Sequence, residues 1–184
     1  MYKIRGYEEK DKERVEQICI ATGAKELTGN AEMQKARLTV FCHYYIEQEP
    51  QQCFVAVNEQ DEAVGYILCA KDFNSWEQEF KKLYLENTMN PITGFLGKGT
   101  IDGLKLFSAK YPAHLHIDIH PDFQGKGLGT QLVDALIKHL KDNGVPGLML
   151  CVGSENEGGQ KFYRKYGFLE LTKGKNEVAM GIEL

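Results

Sequence analysis

Residues 115–130, LHIDIHPDFQGKGLGT, restrict the possible folds more than any other part of the chain. The segment begins with alternating apolar and polar side chains, which is typical of a half-buried β-strand. Pro121 ends that strand, because proline has no backbone N–H to donate to a neighbouring strand. The glycine-rich run that follows leads directly into a helical pattern. A strand, a glycine turn and a helix N-terminus together predict a site for a phosphate or pyrophosphate group.

The glycine turn does not identify its ligand, since a tight turn without any ligand gives the same pattern. The glycines lie at positions 125, 127 and 129, which is not the G-x-G-x-x-G spacing of dinucleotide-binding proteins. No Gly-Lys-Ser/Thr follows at the spacing of a nucleotide-hydrolase phosphate loop. The turn therefore belongs to neither of these nucleotide-binding motifs.

Composition restricts the class of protein. A chain of 184 residues is long enough for one domain with a full core, and we expect a single domain over residues 1–184. The content of 42% hydrophobic and 26% charged residues is typical of a soluble globular protein. The net charge of −4 argues against nucleic-acid binding, which needs a basic face.

Several features predict a cytoplasmic protein. The N-terminus is charged within a few residues, unlike a secretory signal, and no apolar run approaches the ~18 residues of a membrane span. The five cysteines are odd in number and contain no C-x-x-C pair, so we expect reduced core cysteines. The histidines near residue 116 lack a second cluster of ligands, so no metal site is predicted. A monomer and a homodimer both remain possible.

Hydrophobic periodicity and turn residues predict the other elements. Helices are predicted over residues 8–21, 31–48, 76–84, 128–140 and 157–166, and strands over residues 2–5, 53–57, 63–70, 148–152, 168–171 and 178–182. Residues 71–111 are harder to interpret. Glycines interrupt the pattern from 94 to 103, and a further short helix is predicted over residues 104–111.

Three motifs occur in order along the second half of the chain. They are Gln124-x-x-Gly127-x-Gly129, then VGSEN at residues 152–156, and KFYRKYGF at residues 161–168. Together they strongly resemble the GNAT superfamily of N-acetyltransferases, and the run from residue 115 looks closest to the acetyltransferase-like domains related to the nuclear O-GlcNAcase. The resemblance implies an α/β (α+β) fold, with a mixed, mostly antiparallel central sheet of six to seven strands flanked by helices. It also implies acetyl-coenzyme A (acetyl-CoA) as the co-substrate.

The resemblance implies where the cofactor binds. Amides of the glycine turn and helix start would hold the pyrophosphate, since glycine lets the backbone approach without a Cβ. Backbone groups at the end of the strand would pair with the pantetheine arm as an added strand does. Asn156 would contact the arm, or serve only as a helix N-cap. The cofactor-binding residues expected on this basis are Ile119, His120, Gln124, Gly125, Lys126, Gly127, Leu128, Gly129, Thr130 and Asn156.

The resemblance also implies catalytic residues. Tyr163 matches a tyrosine that protonates the leaving thiolate, and a neutral phenol is chemically suited to that role. Its alternative role is that of a packed aromatic side chain. Attack by an amine needs a base to remove the proton, and an acid on the central strand often serves in this superfamily. Asp118 is the first choice and His116 the second, although either residue would also be ordinary as a polar group of the strand.

The predicted function is that of an acetyl-CoA-dependent acyltransferase, most simply an N-acetyltransferase, with direct attack by the amine in a ternary complex. The alternative is a catalytically silent acyl-CoA-binding module on the same fold. Cys151 is a poor candidate nucleophile, because it lies in an apolar strand where a thiolate is disfavoured. The acceptor stays open between a small amine, an amino sugar and a protein amine.

Overall fold

The fold is that of a computed structural model, which describes residues 1–24, 28–86 and 88–184. The strands are β1 (Lys3–Gly6), β2 (Phe54–Val57), β3 (Ala63–Ala70), β4 (Ala113–Ile119), β5 (Gly147–Gly153), β6 (Leu169–Lys173) and β7 (Glu177–Glu183). The helices are α1 (Lys12–Ala21), α2 (Ala31–Leu38), α3 (Tyr44–Gln48), α4 (Phe73–Phe80), α5 (Pro91–Lys105), α6 (Leu128–Asp142) and α7 (Glu157–Tyr166). A π-helical turn, Thr39–His43, joins α2 to α3, so the predicted helix over residues 31–48 is confirmed as one continuous helical segment.

The seven strands form one sheet in the order β1-β2-β3-β4-β5-β7-β6. Every neighbouring pair is antiparallel except β4 and β5, which are parallel. The expected mixed, mostly antiparallel sheet flanked by helices is confirmed. A parallel pair needs a long crossover connection, and α6 supplies it between β4 and β5.

Two hydrophobic cores lie on opposite faces of the sheet. One face packs against α1 to α5, around Ile18, Tyr44 and Trp76. The other packs against α6 and α7, around Leu132 and Leu136. The burial of Tyr44 and Trp76 shows that these aromatic side chains belong to the core.

The prediction of a separate short helix over residues 104–111 is wrong. The structure has a single helix, α5, over the glycine-rich part, and residues 106–110 form turns instead of a short helix. The side chain of Asn90 caps the helix by accepting from the amide of Ile92, and Pro91 fits the first helical position. Glycine costs a helix about 1 kcal/mol per residue, and this helix is held by its packing against α2 and β5.

Within the described ranges, no helix is long and apolar enough to cross a membrane.

Candidate active site

The parallel strands β4 and β5 are paired over only a short distance. Ala113 pairs with Leu148 and His114 with Met149, after which β4 continues to Ile119 without a registered partner on β5. The two strands therefore diverge and leave a wedge-shaped opening in the middle of the sheet, which we call the gap. An unpaired strand edge inside a sheet is able to accept an extended ligand as an added strand.

The backbone groups of β4 alternate in direction. The amide of His120 donates to the carbonyl of Val64 on β3 at 3.0 Å, and its carbonyl accepts from the amide of Phe123 at 2.9 Å. Because backbone groups alternate along a strand, those of Ile117 and Ile119 face the gap. The expected backbone pairing of the cofactor arm is therefore compatible with Ile119 but not with His120. The backbone of Ile117 is compatible with such pairing instead.

The side chain of Gln124 closes part of this edge. Its amide nitrogen Nε2 donates to the carbonyl oxygen of Ile119 at 3.0 Å. This bond satisfies one of the unpaired groups of the gap and draws the glycine turn against the end of β4. The carbonyl of Ile119 keeps a second lone pair, so a cofactor arm is able to donate to it beside Gln124.

The glycine turn exposes the N-terminus of α6. Gly125 and Gly127 have φ angles of +74° and +76°, a left-handed conformation that favours glycine. Gly127 occupies the N-cap position, and no side chain caps the helix. The first-turn amides, including that of Thr130, are thus left to an anion or to water. The side chain of Leu128 is buried in the core, which fixes the direction of the helix.

The other two residues of the turn have structural contacts as well. A Cβ on Gly129 would lie 3.4 Å from the ring of Phe162, so this glycine allows α6 and α7 to pack closely. The ammonium of Lys126 donates to the carbonyl of Asp122 at 3.0 Å and lies 4.8 Å from the ring centre of Phe123. Its position at the turn leaves a contact with a phosphate as a prediction.

Asn156 is the N-cap of α7. Its Oδ1 accepts from the amide of Gly159 at 2.8 Å. Its Nδ2 has no hydrogen-bond partner in the part of the chain that the structure describes, so the capping role leaves a donor for a ligand. The cofactor contact of Asn156 stays a prediction.

Tyr163 lies on the inner face of α7, with only 9% of its surface exposed. Burial raises the pKa of its phenol well above the usual value, and the charge of Asp118 raises the pKa further. The phenol is therefore protonated at neutral pH and keeps a proton to donate.

His116 and Asp118 project from β4 toward α1 and α2, and Tyr66 of β3 lies between them. The hydroxyl of Tyr66 donates to Oδ2 of Asp118 at 2.7 Å and lies 3.2 Å from Nδ1 of His116. The imidazole ring is stacked between Phe41 (5.3 Å between ring centres) and Tyr66 (6.0 Å). His116 and Asp118 keep 22% and 18% of their side-chain surface exposed, so both remain accessible.

These contacts define the protonation state of His116. Burial lowers its pKa to about 4, so the imidazole is neutral at pH 7. The single hydroxyl hydrogen of Tyr66 points to the carboxylate, which accepts only. Nδ1 of His116 must then donate to the Tyr66 oxygen, and Nε2 carries the lone pair. The neutral imidazole thus presents a free lone pair on Nε2, although the burial that keeps it neutral also makes it a weaker base than an exposed histidine.

Arg37 of α2 is a buried cation beside this group. Its Nε donates to the carbonyl of Cys19 at 2.7 Å, and its Nη2 lies 3.6 Å from Oδ2 of Asp118. The guanidinium also lies 5.4 Å from the ring centre of Phe41. Arg37 therefore balances the carboxylate of Asp118 and helps to keep the pKa of His116 low.

Sequence reasoning missed Arg37, Tyr66 and Ile117. The signals were nevertheless present. Arg37 lies among core positions of a helical pattern, and Phe41 follows four residues later on the same face. Tyr66 is the only phenol in an otherwise apolar buried strand, and a buried tyrosine hydroxyl usually finds a polar partner.

Cys151 lies on β5 near the gap and is only partly buried. Burial raises the pKa of its thiol to about 12, which makes a thiolate nucleophile unfavourable at neutral pH. The cysteines carry free thiols, and the other four are buried. Among the residues described, no three His, Cys, Asp or Glu side chains are grouped to hold a metal ion.

Comparison with known proteins gives a consistent result. An N-acetyltransferase of Methanocaldococcus jannaschii, itself uncharacterised, is 42% identical over 65 residues, which are 34% of this chain and 29% of that protein. The ribosomal protein bS18-alanine N-acetyltransferase of Haemophilus ducreyi is 35% identical over 137 residues, covering 73% of this chain and 89% of that protein. The crystal structure of SsHAT matches with a TM-score of 0.86 at 26% identity, covering 99% of this chain and 98% of that one.

The extent of these matches differs. The chain spans less than a third of the length of the Methanocaldococcus jannaschii protein, whereas it spans nearly all of SsHAT. The model of the acetyltransferase (GNAT) family matches residues 20–168, which include the gap, the glycine turn and α7. The chain therefore belongs to the GNAT family of acetyltransferases.

Proposed function

We propose that this protein is an N-acetyltransferase that transfers an acetyl group from acetyl-CoA to an amine by direct attack in a ternary complex. The observation that carries the proposal is the gap between β4 and β5, with the uncapped N-terminus of α6 at its mouth. Proton-transfer groups border the gap, namely His116 on one side and Tyr163 on the other. An acyl-CoA-binding module without catalysis needs no such groups.

The residues around the glycine turn fit the donor. A Cβ added to Gly125 or to Gly127 would have no neighbouring atom within 4 Å, so open space lies over both residues. A pyrophosphate at this place would be held by the amides of the first turn of α6. The amide of Ile117 and the backbone of Ile119 would hold the pantetheine arm along the open edge. When bound, acetyl-CoA supplies the activated acetyl group.

The chain's own residues then move the protons. Nε2 of His116 accepts the proton of the attacking amine, directly or through a water molecule. Tyr66 and Asp118 hold the imidazole in the required tautomer, so Asp118 acts through His116 in this arrangement. Asp118 as the base itself is the other assignment, and it requires the carboxylate to give up its bond from Tyr66. The hydroxyl of Tyr163 donates a proton to the departing thiolate sulfur.

Amine-dependent release of free thiol from acetyl-CoA tests the proposal. We expect release with at least one amine, and the variant Tyr163→Phe should lower kcat about 100-fold while acetyl-CoA still binds. Tyr166→Phe is the matched control, because Tyr166 lies on the same helix but bonds to Asp134. Binding of acetyl-CoA without transfer to any amine would instead favour the silent module, and failure to bind it would contradict both.

The remaining features of the proposal follow from the chain as a whole. We expect residues 1–184 to act as a single domain in the cytoplasm, as a monomer or a homodimer, without nucleic-acid or membrane partners. The narrower resemblance to the O-GlcNAcase-related domains stays a prediction.

A further inference from the structure

Glu177 is a half-buried acid at the start of β7. Its carboxylate has neither a hydrogen bond nor an ion pair within residues 1–24, 28–86 and 88–184. Burial raises its pKa, which is the expected effect of taking a carboxylate out of water without a cation beside it. Most half-buried carboxylates have a cationic or hydrogen-bonding partner, so an unpaired one calls for a reason.

The sheet places Glu177 on the acceptor side of the gap. Glu177 pairs with Gly153 on β5, and Cys151, two residues earlier on β5, packs against the core under α1 to α5. Paired residues and residues two apart on a strand share a face. Glu177 therefore faces the same helices as His116 and Asp118 do.

The position of Glu177 along the gap matches that of Asp118. Counted on from the pair His114 and Met149, Asp118 of β4 is level with Gly153 of β5, the partner of Glu177. Strand β5 lies between β4 and β7. Two strands with one strand between them are about 10 Å apart in a regular sheet, and the divergence of β4 and β5 widens this distance. The carboxylate of Glu177 thus lies across the open end of the gap from the proposed proton acceptor.

Helix α5 leaves room for the carboxylate. A Cβ on Gly103 would lie 2.5 Å from Oε1 of Glu177 and 3.3 Å from the sulfur of Cys151. The glycine therefore lets the helix approach without displacing the acid. No side chain of α5 forms an ion pair with the carboxylate.

Two carboxylates face the acceptor side of the gap, and only one of them has a cation beside it. Arg37 balances Asp118 at 3.6 Å, whereas Glu177 has no such partner among the residues that the structure describes. Glu177 thus brings a negative charge without a cation beside it to the acceptor side of the gap, and a bound cation would compensate this charge.

We infer that Glu177 binds a second cationic group of the acceptor, so that the preferred substrate is an amine with another positive charge several bonds from the reacting nitrogen. This inference rests on the proposed acetyltransferase function. The second charge would belong either to a small diamine or to a peptide with a basic side chain next to its free amine. Both offer the same chemistry to the carboxylate.

Matched acceptors test the inference. 1,4-Diaminobutane is compared with n-butylamine, and the peptide Ala-Lys-Ala with Ala-Met-Ala, by release of free thiol from acetyl-CoA. We expect the wild type to prefer the dicationic member of at least one pair by about 10- to 100-fold in kcat/KM, through KM. The pair that shows the preference identifies the source of the second charge.

The variant Glu177→Gln should abolish most of that preference. The ratio of the two kcat/KM values is insensitive to loss of folded enzyme, so it separates recognition from stability. Glu183→Gln is the matched control, because Glu183 lies on the same strand but forms an exposed ion pair with Lys110. We expect the control to keep the wild-type ratio.

Two outcomes would overturn the inference while leaving the proposed function intact. One is equal turnover of the dicationic and monocationic acceptors by the wild type. The other is an equal fall of kcat for both acceptors in Glu177→Gln, which would place Glu177 in the chemistry of proton transfer. Absence of transfer to all four acceptors would contradict the proposed function, and the inference with it.

Discussion

The glycine at the N-cap of α6 offers the sharpest test of the donor site. Gly127 has a φ angle of +76°, and a Cβ added to it would have no neighbouring atom within 4 Å. Gly144, just beyond the end of α6, has a φ angle of +69° and equally open surroundings. Both glycines therefore adopt a left-handed backbone conformation, and neither is needed to avoid a steric clash. Only Gly127 lies in the proposed pyrophosphate site.

We expect Gly127→Ala and Gly144→Ala to cost the same stability. The left-handed conformation costs an alanine about 1–2 kcal/mol, and the reduced entropy of the unfolded chain returns about 0.4–1 kcal/mol. The net loss is about 1 kcal/mol, which corresponds to a Tm lower by about 2–4 °C for a protein of this size. Calorimetric unfolding of both variants measures it.

Binding of coenzyme A should separate the two variants. A Cβ on Gly127 would stand between the first-turn amides and the pyrophosphate, and one lost hydrogen bond to a charged group costs about 1.5–3 kcal/mol. The Kd of Gly127→Ala should therefore rise about 10- to 100-fold, while that of Gly144→Ala stays at the wild-type value. Isothermal titration calorimetry measures both. If Gly127→Ala binds coenzyme A as tightly as Gly144→Ala, the anion site at the start of α6 is refuted.

Three further predictions concern the rest of the molecule. Tyr66→Phe should lower kcat about 10- to 100-fold without changing the Kd for coenzyme A, because His116 loses the partner that fixes its tautomer; an unchanged kcat would exclude this role. Burial lowers the pKa of His114 to about 3, so the unfolded chain takes up a proton below pH ~6.5 that the folded protein does not. The contribution of His114 to stability is then fully present above that pH and falls by about 2 kcal/mol at pH 5, so urea unfolding of His114→Gln should show a shallower loss of stability than the wild type. In α5, Gly99→Ala should stabilise by about 0.5–1 kcal/mol, whereas Gly97→Ala should destabilise because its Cβ would lie 2.6 Å from Leu85; equal effects in thermal unfolding would contradict this packing.

The second half of the fold was predictable because its signals are local. Helix α7 was predicted with its observed bounds, since Asn156 caps its start and Gly167 ends it. The start of α6 was also predicted correctly, because the helical periodicity of apolar residues begins directly after the glycine turn. The β-rich apolar run after the polar turn at residues 58–62 likewise gave β3 its observed bounds. Each of these elements is determined by residues within one or two turns of its ends.

Helix α5 was not predicted, because the interactions that stabilise it are not local. Four glycines in fifteen residues argue against a helix by propensity, and nothing nearby in sequence offsets them. The compensation is tertiary. Gly97 and Gly103 lie where a Cβ would collide with Leu85 and Glu177, so two of the glycines allow close packing across the helix. Close approach between distant segments is not encoded in a local pattern.

The candidate site was predicted in part, and the missing part is again tertiary. His116 and Asp118 were identified from their strand, but their order of importance depends on Tyr66 and Arg37. These two residues come from another strand and a distant helix, and only the folded sheet brings them to the carboxylate. The relative positions of a base and its partners cannot be read from spacing along one segment.

The divergence of β4 and β5 explains how one sheet serves two different substrates. If the two strands were paired to their ends, the backbone groups of Ile117 and Ile119 would be used within the sheet, and its two faces would be separated. The gap instead leaves those groups to a ligand arm and connects the face under α6 and α7 with the face under α1 to α5. In the proposed reaction, a donor held at α6 and an amine held near His116 would therefore meet at one point, and the position of that point would be determined by where the strands separate.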